Sequence, residues 1–441
     1  KVMLWRRRKI APGPQIPPPP PPIFCPPTSP LTSEEKAKAC EEIEVLLSAN
    51  PVDLEALREK AFSVGGFQLQ HLRDQAWPKL LQVTSEEGQS FREKIVEHSD
   101  TEQVRRDVER SLWHWHRVRR WGHSRLTQKR NKLSDIINAV ISAHPGLHYF
   151  QGYHDLIGVL LLILSNENVT YAAAERLSLT YHRESMREDF QQVTLQLQLL
   201  HPILKYFDRQ LFEFLEDVQL EPFYAISWVL TWFAHDISEL DLVARLFDVF
   251  LSSDPMFSLY LSAAVLVHRR EEILTIEADF GILHNSLIKL PVNLDYEAVL
   301  KRARIMIELL PPKLLLFTVE KTLREEIEEQ RLAFLEYPAP WKTKLTEPDW
   351  ILLEEKRVKM GKKKRNRRAR AKQAKRKKQL QKLGRKDYSQ QNKAAIFPWK
   401  KFKILPARTL VFAVSIAAIA CIAAARIHSK MRCQSGSPDL L

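Results

Sequence analysis

The sequence predicts an all-α fold with a separate apolar helix near its C-terminal end, and three observations carry that expectation. Apolar residues recur at helical spacing from Thr32 to about Pro311-Pro312. No sustained period-2 alternation of strand length occurs, and the segments are punctuated by helix caps and breakers. At 441 residues and 45% hydrophobic, the chain can build one large globular domain or two ordinary ones with further segments attached.

Residues 12–30 are dominated by proline, including the unbroken run Pro17 to Pro22. Such a run favours an extended polyproline helix and cannot build a core. Residues 1–32 are therefore expected to form a disordered leader, with a ligand for a proline-binding domain as the functional alternative. Thr32-x-x-Glu35 then forms a capping box, and Ile43, Leu46 and Leu47 follow at helical spacing until Asn50-Pro51 stops the helix. A second helix is expected from near Asp53 to Gly65-Gly66, which completes an N-terminal unit over 33–66. The body, 67–310, carries helical segments at Leu69–Leu81, Val104–Arg120, Leu126–Ala143, Tyr153–Leu164 and Ala172–Met186, with several more beyond. Two inner stretches, Leu156–Leu164 and Phe223–Ala234, are apolar over only 9 and 12 residues, which makes them core helices rather than membrane spans. A helix and linker fill 311–350.

The end of the chain differs. Between Arg408 and Arg426 lie 17 uncharged residues, Thr409 to Ala425. As a helix they cover roughly 26 Å, the low end of a bilayer span and suited to a thin membrane. A transmembrane helix is expected over 409–427, followed by a short tail, 428–441. The flanking Lys/Arg excess lies on the N-terminal side, which leaves the large domain in the cytosol. A basic segment, 351–403, precedes the span. From Lys356 to Lys386 there are 18 Lys or Arg and no Asp or Glu, so subtracting them from the net charge of +14 leaves −4 for the rest. The basicity is thus local, and no aromatic residue is interleaved between 356 and 386 to stack on bases, so no nucleic acid is expected. Attraction to anionic lipid headgroups, or a solvated spacer, fits the run better. Four scattered cysteines, Cys25, Cys40, Cys421 and Cys433, fit a reducing cytosol and form no metal-ligand spacing.

Glycine is scarce, 12 in the chain, and neither a Walker loop nor a G-x-G-x-x-G occurs, so the chain is not built to cradle a nucleotide. Two sparser stretches carry the chemistry. In Val104-Arg105-Arg106-Asp107-Val108-Glu109-Arg110, Asp107 and Arg110 share a helix face, so the carboxylate can hold the guanidinium in one rotamer; an exposed ion pair is the plain alternative. In His148-Tyr149-Phe150-Gln151-Gly152-Tyr153-His154-Asp155, after the breaker Pro145-Gly146, Gln151 sits at the mouth of the most apolar helix, where Gly152 allows close backbone approach. The plain alternative is a polar first-turn residue beside aromatic core. His154 and Asp155 read as ordinary first-turn polar groups, with neither proton transfer nor a metal role assigned.

Together these stretches resemble the V/I-x-x-D-x-x-R and Y-x-Q-G pair of the TBC domain of Rab GTPase-activating proteins. Arg73 and Trp77 in Leu72-Arg73-Asp74-Gln75-Ala76-Trp77 look like the domain's opening segment, and Arg245-Leu246-Phe247-Asp248 resembles its later helix, after the pair Trp228 and Trp232. The resemblance covers about 67–255 and extends as helical lobe to about 310. It implies a multi-helix TBC fold and a GTPase activator that supplies Arg110 as an arginine finger and Gln151 as a glutamine finger. Asp107, Tyr149 and Gly152 would support them, while Arg73, Trp77, Arg245 and Asp248 form the family's core motif. GTP and Mg²⁺ would belong to the partner, a Rab GTPase of the early secretory pathway, with no cofactor of the chain's own. The anchor and the resemblance together imply the endoplasmic-reticulum membrane. One departure stands out: the family usually has a proline soon after the arginine, whereas Trp113, His114, Trp115 and His116 follow Arg110 here, which predicts a differently built finger loop. A silent Rab-binding scaffold and a tail-anchored nucleic-acid or ribosome adaptor are the rival readings.

Overall fold

The structure, a computed structural model, describes residues 16–330. Residues 1–15, the 331–350 part of the linker, the basic segment 351–403, the expected span 409–427 and the tail 428–441 lie outside the described residues. Among the described residues there are eighteen α-helices, three short 3₁₀ turns and no strand, as the periodicity predicts.

The first helix, α1 (Ser33–Ser48), opens on the expected box: the Thr32 N–H donates to Glu35 Oε2 over 2.8 Å and the Glu35 N–H to Thr32 Oγ1 over 3.2 Å. Next, α2 (Leu54–Phe62) is capped by Asp53, and α3 (Gln70–Leu81), α4 (Thr101–Glu109), α5 (His123–Ala143), α6 (Tyr153–Ile163) and α7 (Glu167–Thr180) follow. Two of these end earlier than expected. The segment Val104–Arg120 breaks at Arg110, and Ala172–Met186 stops at Thr180. The chain continues through α8 (Gln191–Gln198), α9 (Leu200–Phe207), α10 (Arg209–Asp217), α11 (Ile226–Leu230), α12 (Leu240–Phe250) and α13 (Phe257–His268). It closes with α14 (Arg270–Ile273), α15 (Phe280–Leu287), α16 (Tyr296–Leu309), α17 (Pro312–Leu315) and α18 (Lys321–Gln330). The apolar stretch 223–234 is not one helix: it divides into a 3₁₀ turn at Pro222–Ala225, the five residues of α11, and a bend in which Trp232 and Phe233 have positive φ.

Two helices are buried on every side. In α6 every residue but His154 is buried, and α3, α4, α5, α7 and α12 pack around it. In α13 Phe257 to Leu266 are all buried, against α9, α11 and α16. No helix among the described residues is long and apolar enough to cross a membrane, and α6, at 11 residues, owes its apolar sequence to this central position.

The four residues of the core motif meet in the interior. Arg73 of α3 donates from Nε and NH2 to the Asp248 carboxylate of α12 at 3.0 to 3.1 Å, and Trp77 Nε1 donates to Asp248 Oδ1 at 2.8 Å. The Phe67 N–H adds a further bond to Asp248 at 3.1 Å. Arg245, on the same helix, reaches the Ala61 and Ser63 carbonyls and pairs with Glu297 of α16 at 2.7 and 3.0 Å. Gly66 lies so close to this cluster that a Cβ there would sit 2.5 Å from Asp248 Oδ2. Trp228 and Trp232 are buried as the family pattern implies, Trp232 stacked on Phe250 with ring centres 4.8 Å apart.

The leader requires a correction. Residues 16–32 are extended but docked along the helical body: Tyr206 donates to the carbonyls of Pro17 and Pro18, Arg302 to Ile23, and the Thr28 N–H to Asp295 Oδ2. Cys25 is buried. A proline strand has free carbonyls and no donors to satisfy, so side-chain donors on the body suffice to hold it.

Candidate functional site

The site is organised around α4, only nine residues long. Arg110 is its C-cap residue, with its side chain 75% exposed, and Asp107, one turn back, is 3% exposed. Arg110 NH2 donates to Asp107 Oδ1 over 3.1 Å and Nε donates to the Arg106 carbonyl over 3.2 Å. The exposed guanidinium is therefore held through NH2 by a buried carboxylate and through Nε by a backbone carbonyl, which is more than the surface pair that the spacing alone allowed.

The other oxygen of Asp107 joins this helix to the second motif. Oδ2 accepts from the Tyr149 hydroxyl and from Gln103 Nε2, both at 3.0 Å. At the opposite end of α4, Asp100 Oδ2 accepts the Tyr149 N–H at 3.0 Å. The loop between α5 and α6 is thus pinned to both ends of α4. Its tip carries Gln151, which is exposed and has no hydrogen bond to protein among the described residues. Gly152 follows with φ +104°, and a Cβ there would meet Thr231 Cγ2 at 2.7 Å. Both conformation and space require glycine.

The turn after Arg110 shows what stands where the resemblance led one to expect a proline. Leu112 adopts φ +65° and is fully buried, and Leu112 and Trp115 pack over Gly158 of α6, where a Cβ would meet them at 3.0 and 3.1 Å. Arg130 of α5 donates twice to the Ser111 carbonyl, at 2.8 and 3.3 Å. The His116 N–H bonds to the Ser238 carbonyl at 3.0 Å, and Trp113 is left 54% exposed. Packing and an arginine clamp fix a turn that proline would otherwise fix through φ.

A cluster that sequence reasoning missed lies directly behind. Asp155 is fully buried in the first turn of α6 and is met by three imidazoles: His235 Nδ1 at 2.9 Å, His154 Nε2 at 3.4 Å and His114 Nδ1 at 4.0 Å. Burial alone would push its carboxyl up, but the charge on His154, the hydrogen bond from His235 and the charges of His235 and His114 hold it below the usual carboxylate range. The His235 ring is pushed up to about 9, chiefly by its bond to Asp155. Burial pushes Asp236 up to about 6 and pulls His114 down. His154 also bonds to Tyr149, its Nδ1 lying 2.7 Å from the hydroxyl. Nothing in the spacing could reveal this, since His235 is 80 positions from Asp155. No group of His, Cys, Asp or Glu among the described residues is placed to hold a metal ion.

Of the expected site residues, the structure joins Arg110, Asp107 and Tyr149 in one chain of hydrogen bonds and sets Gln151 and Gly152 two and three positions beyond Tyr149. Arg73, Trp77, Arg245 and Asp248 belong to the interior scaffold between α3 and α12.

Residues 70–274 match the family described as the Rab-GTPase-TBC domain. TBC1 domain family member 20 of Mus musculus is 34% identical over 284 residues, covering 63% of this chain and 69% of that protein. GTPase-activating protein gyp10 of Schizosaccharomyces pombe is 29% identical over 274 residues, 61% of this chain and 72% of that one. The solved Ypt/Rab-GAP domain of Gyp1p shares the fold with a TM-score of 0.50 and 16% identity, covering 62% of this chain and 99% of its own.

Proposed function

We propose, from the premise that this chain belongs to the Rab-GTPase-TBC domain family, that it is a GTPase-activating protein for a Rab GTPase, acting through Arg110 and Gln151. The observation that carries the reading is the join between the two motifs: an exposed arginine and an exposed glutamine, held on separate elements that Asp107 and Tyr149 tie together.

Hydrolysis of GTP on a Rab develops charge on the β- and γ-phosphate oxygens, and its slow intrinsic rate reflects unstabilised charge and a poorly held water. Arg110 would reach into the partner's site and fork between phosphate oxygens, a contribution of roughly 10³–10⁵ in rate for an arginine supplied in trans. Gln151 would orient the attacking water. GTP and Mg²⁺ stay with the Rab. As part of the same reading we place the chain on the endoplasmic-reticulum membrane in early secretory traffic. That rests on the family likeness, on the expected span 409–427 with its uncharged run Thr409 to Ala425, and on the basic run 356–386, the latter facing anionic headgroups.

The test is single-turnover GTP hydrolysis by a panel of purified Rabs with the full chain and its Arg110→Lys and Gln151→Ala variants. Strong acceleration of one or two Rabs is expected, nearly abolished in the lysine variant because a point charge cannot fork between two oxygens. Acceleration of none would leave the silent scaffold in its place.

A further inference from the structure

His154 was left without a role by the sequence, and the donor count around Tyr149 gives it one. The Tyr149 oxygen lies 3.0 Å from Asp107 Oδ2 and 2.7 Å from His154 Nδ1. A phenol has one proton, so it donates to one neighbour and accepts from the other. Asp107 as a carboxylate only accepts, which commits the hydroxyl proton to Asp107 and requires His154 Nδ1 to carry a proton and donate it to Tyr149. The opposite ring nitrogen faces Asp155 Oδ1 at 3.4 Å, and the ring stacks alongside Tyr149 with centres 6.4 Å apart. Burial and the charge of Asp107 push the Tyr149 hydroxyl well above its usual range, so it remains a proton donor. The facing groups are Asp107 and Tyr149 on one side, and Asp155, His114, His235 and Asp236 on the other.

We infer that His154 is a positioning residue for the arginine finger: by donating to Tyr149 it turns that hydroxyl onto Asp107 Oδ2, which fixes the carboxylate so that Oδ1 holds Arg110. The inference rests on the activator reading for its catalytic consequence. The relay runs His154, Tyr149, Asp107, Arg110, and it joins the first turn of α6 to the end of α4. Without the imidazole donor the tyrosine hydroxyl is free to turn away, and Asp107 loses one of the three bonds that orient it.

Two isosteres separate the ring's nitrogens. The amide nitrogen of His154→Asn falls where Nδ1 stood and keeps the bond to Tyr149, whereas that of His154→Gln falls near Nε2 and loses it. With the accelerated Rab as substrate, His154→Asn is expected to stay within about twofold of wild type. His154→Gln and Tyr149→Phe should each lower kcat about tenfold, the upper end of one lost hydrogen bond, with KM within about twofold. The Gln/Phe double variant should be no worse than either single one, because both break the same link. A merely structural histidine would give equal effects for Asn and Gln, or losses that add in the double variant, and either result overturns the inference. A second measurement stands apart from activity: arginine-selective ¹⁵N spectra, with Arg110 assigned by its loss in Arg110→Lys. The Arg110 side-chain signal should be ordered in wild type and His154→Asn and broadened in His154→Gln and Tyr149→Phe. If wild type accelerates no Rab, the activator reading fails by that result, while the Arg110 signal still decides the relay: an unchanged signal in all four proteins overturns it.

Discussion

At the scale of single residues, Gly152 shows how tightly the glutamine-bearing tip is determined. A side chain there must bear φ +104° and also displace Thr231 Cγ2 from 2.7 Å. The left-handed conformation alone costs about 1–2 kcal/mol, and the contact adds to it. Gly152→Ala should therefore lower stability in urea melts by at least that amount, and adding Thr231→Ser, which removes the methyl but keeps the hydroxyl bonded to the Ser227 carbonyl, should recover only the steric part. Full recovery in the double variant would show that the backbone conformation carries no strain. The requirement for glycine was legible in the sequence as a chance for close approach. Its partner was not, because Thr231 lies far along the chain in a stretch that reads as uniform apolar core. The same holds for Asp107: three-residue spacing to Arg110 announced the ion pair, but only the fold could bury the carboxylate and bring Tyr149 and Gln103 to its other oxygen.

Among the elements, α4 is where local pattern and tertiary structure disagree most usefully. Leu112, Trp115 and Val118 continue an apolar stripe at helical spacing, so the segment reads as one helix to Arg120. The chain instead turns out at Arg110 because Leu112 and Trp115 find a deeper site over Gly158, a contact no periodicity encodes. The bend after α11 plays the matching role on the other side by placing His235 against Asp155. Its ring is pushed up to about 9, above the ordinary value near 6.5. The stabilisation from that pair is thus complete below about pH 6.5 and fades as pH rises through about 9. The neighbouring Asp236, pushed up to about 6, has finished its change by neutrality, so the range above pH 7 isolates the histidine. His235→Gln should melt below wild type at pH 7 and approach it near pH 10. A gap that stayed constant with pH would mean the ring contributes packing and not charge, and the 57% exposure of His235 leaves room for a modest effect only.

Across the whole molecule, the interior cluster of Arg73, Trp77 and Asp248 ties an early helix to a late one with a fully buried carboxylate. Asp248→Ala would leave the Arg73 guanidinium buried and unpaired, and is expected to cost about 3–5 kcal/mol in denaturant unfolding. The residue types and order of this cluster were readable from the motifs, but its purpose was not: the sequence marked four residues as belonging together, and the fold shows that they close the domain rather than serve the site. The docked prolines carry a consequence in the order of biosynthesis. Thr28 must meet Asp295, 267 positions later, and at about 5–20 residues per second that partner leaves the ribosome roughly a quarter of a minute to a minute after it. Whatever lies in that stretch has to wait without pairing wrongly. Pro17 to Pro22 offer a nascent chain no amide donors with which to start a helix or a strand, so they can stay extended until Tyr206 of α9, and after it Arg302 of α16, emerge to hold the segment.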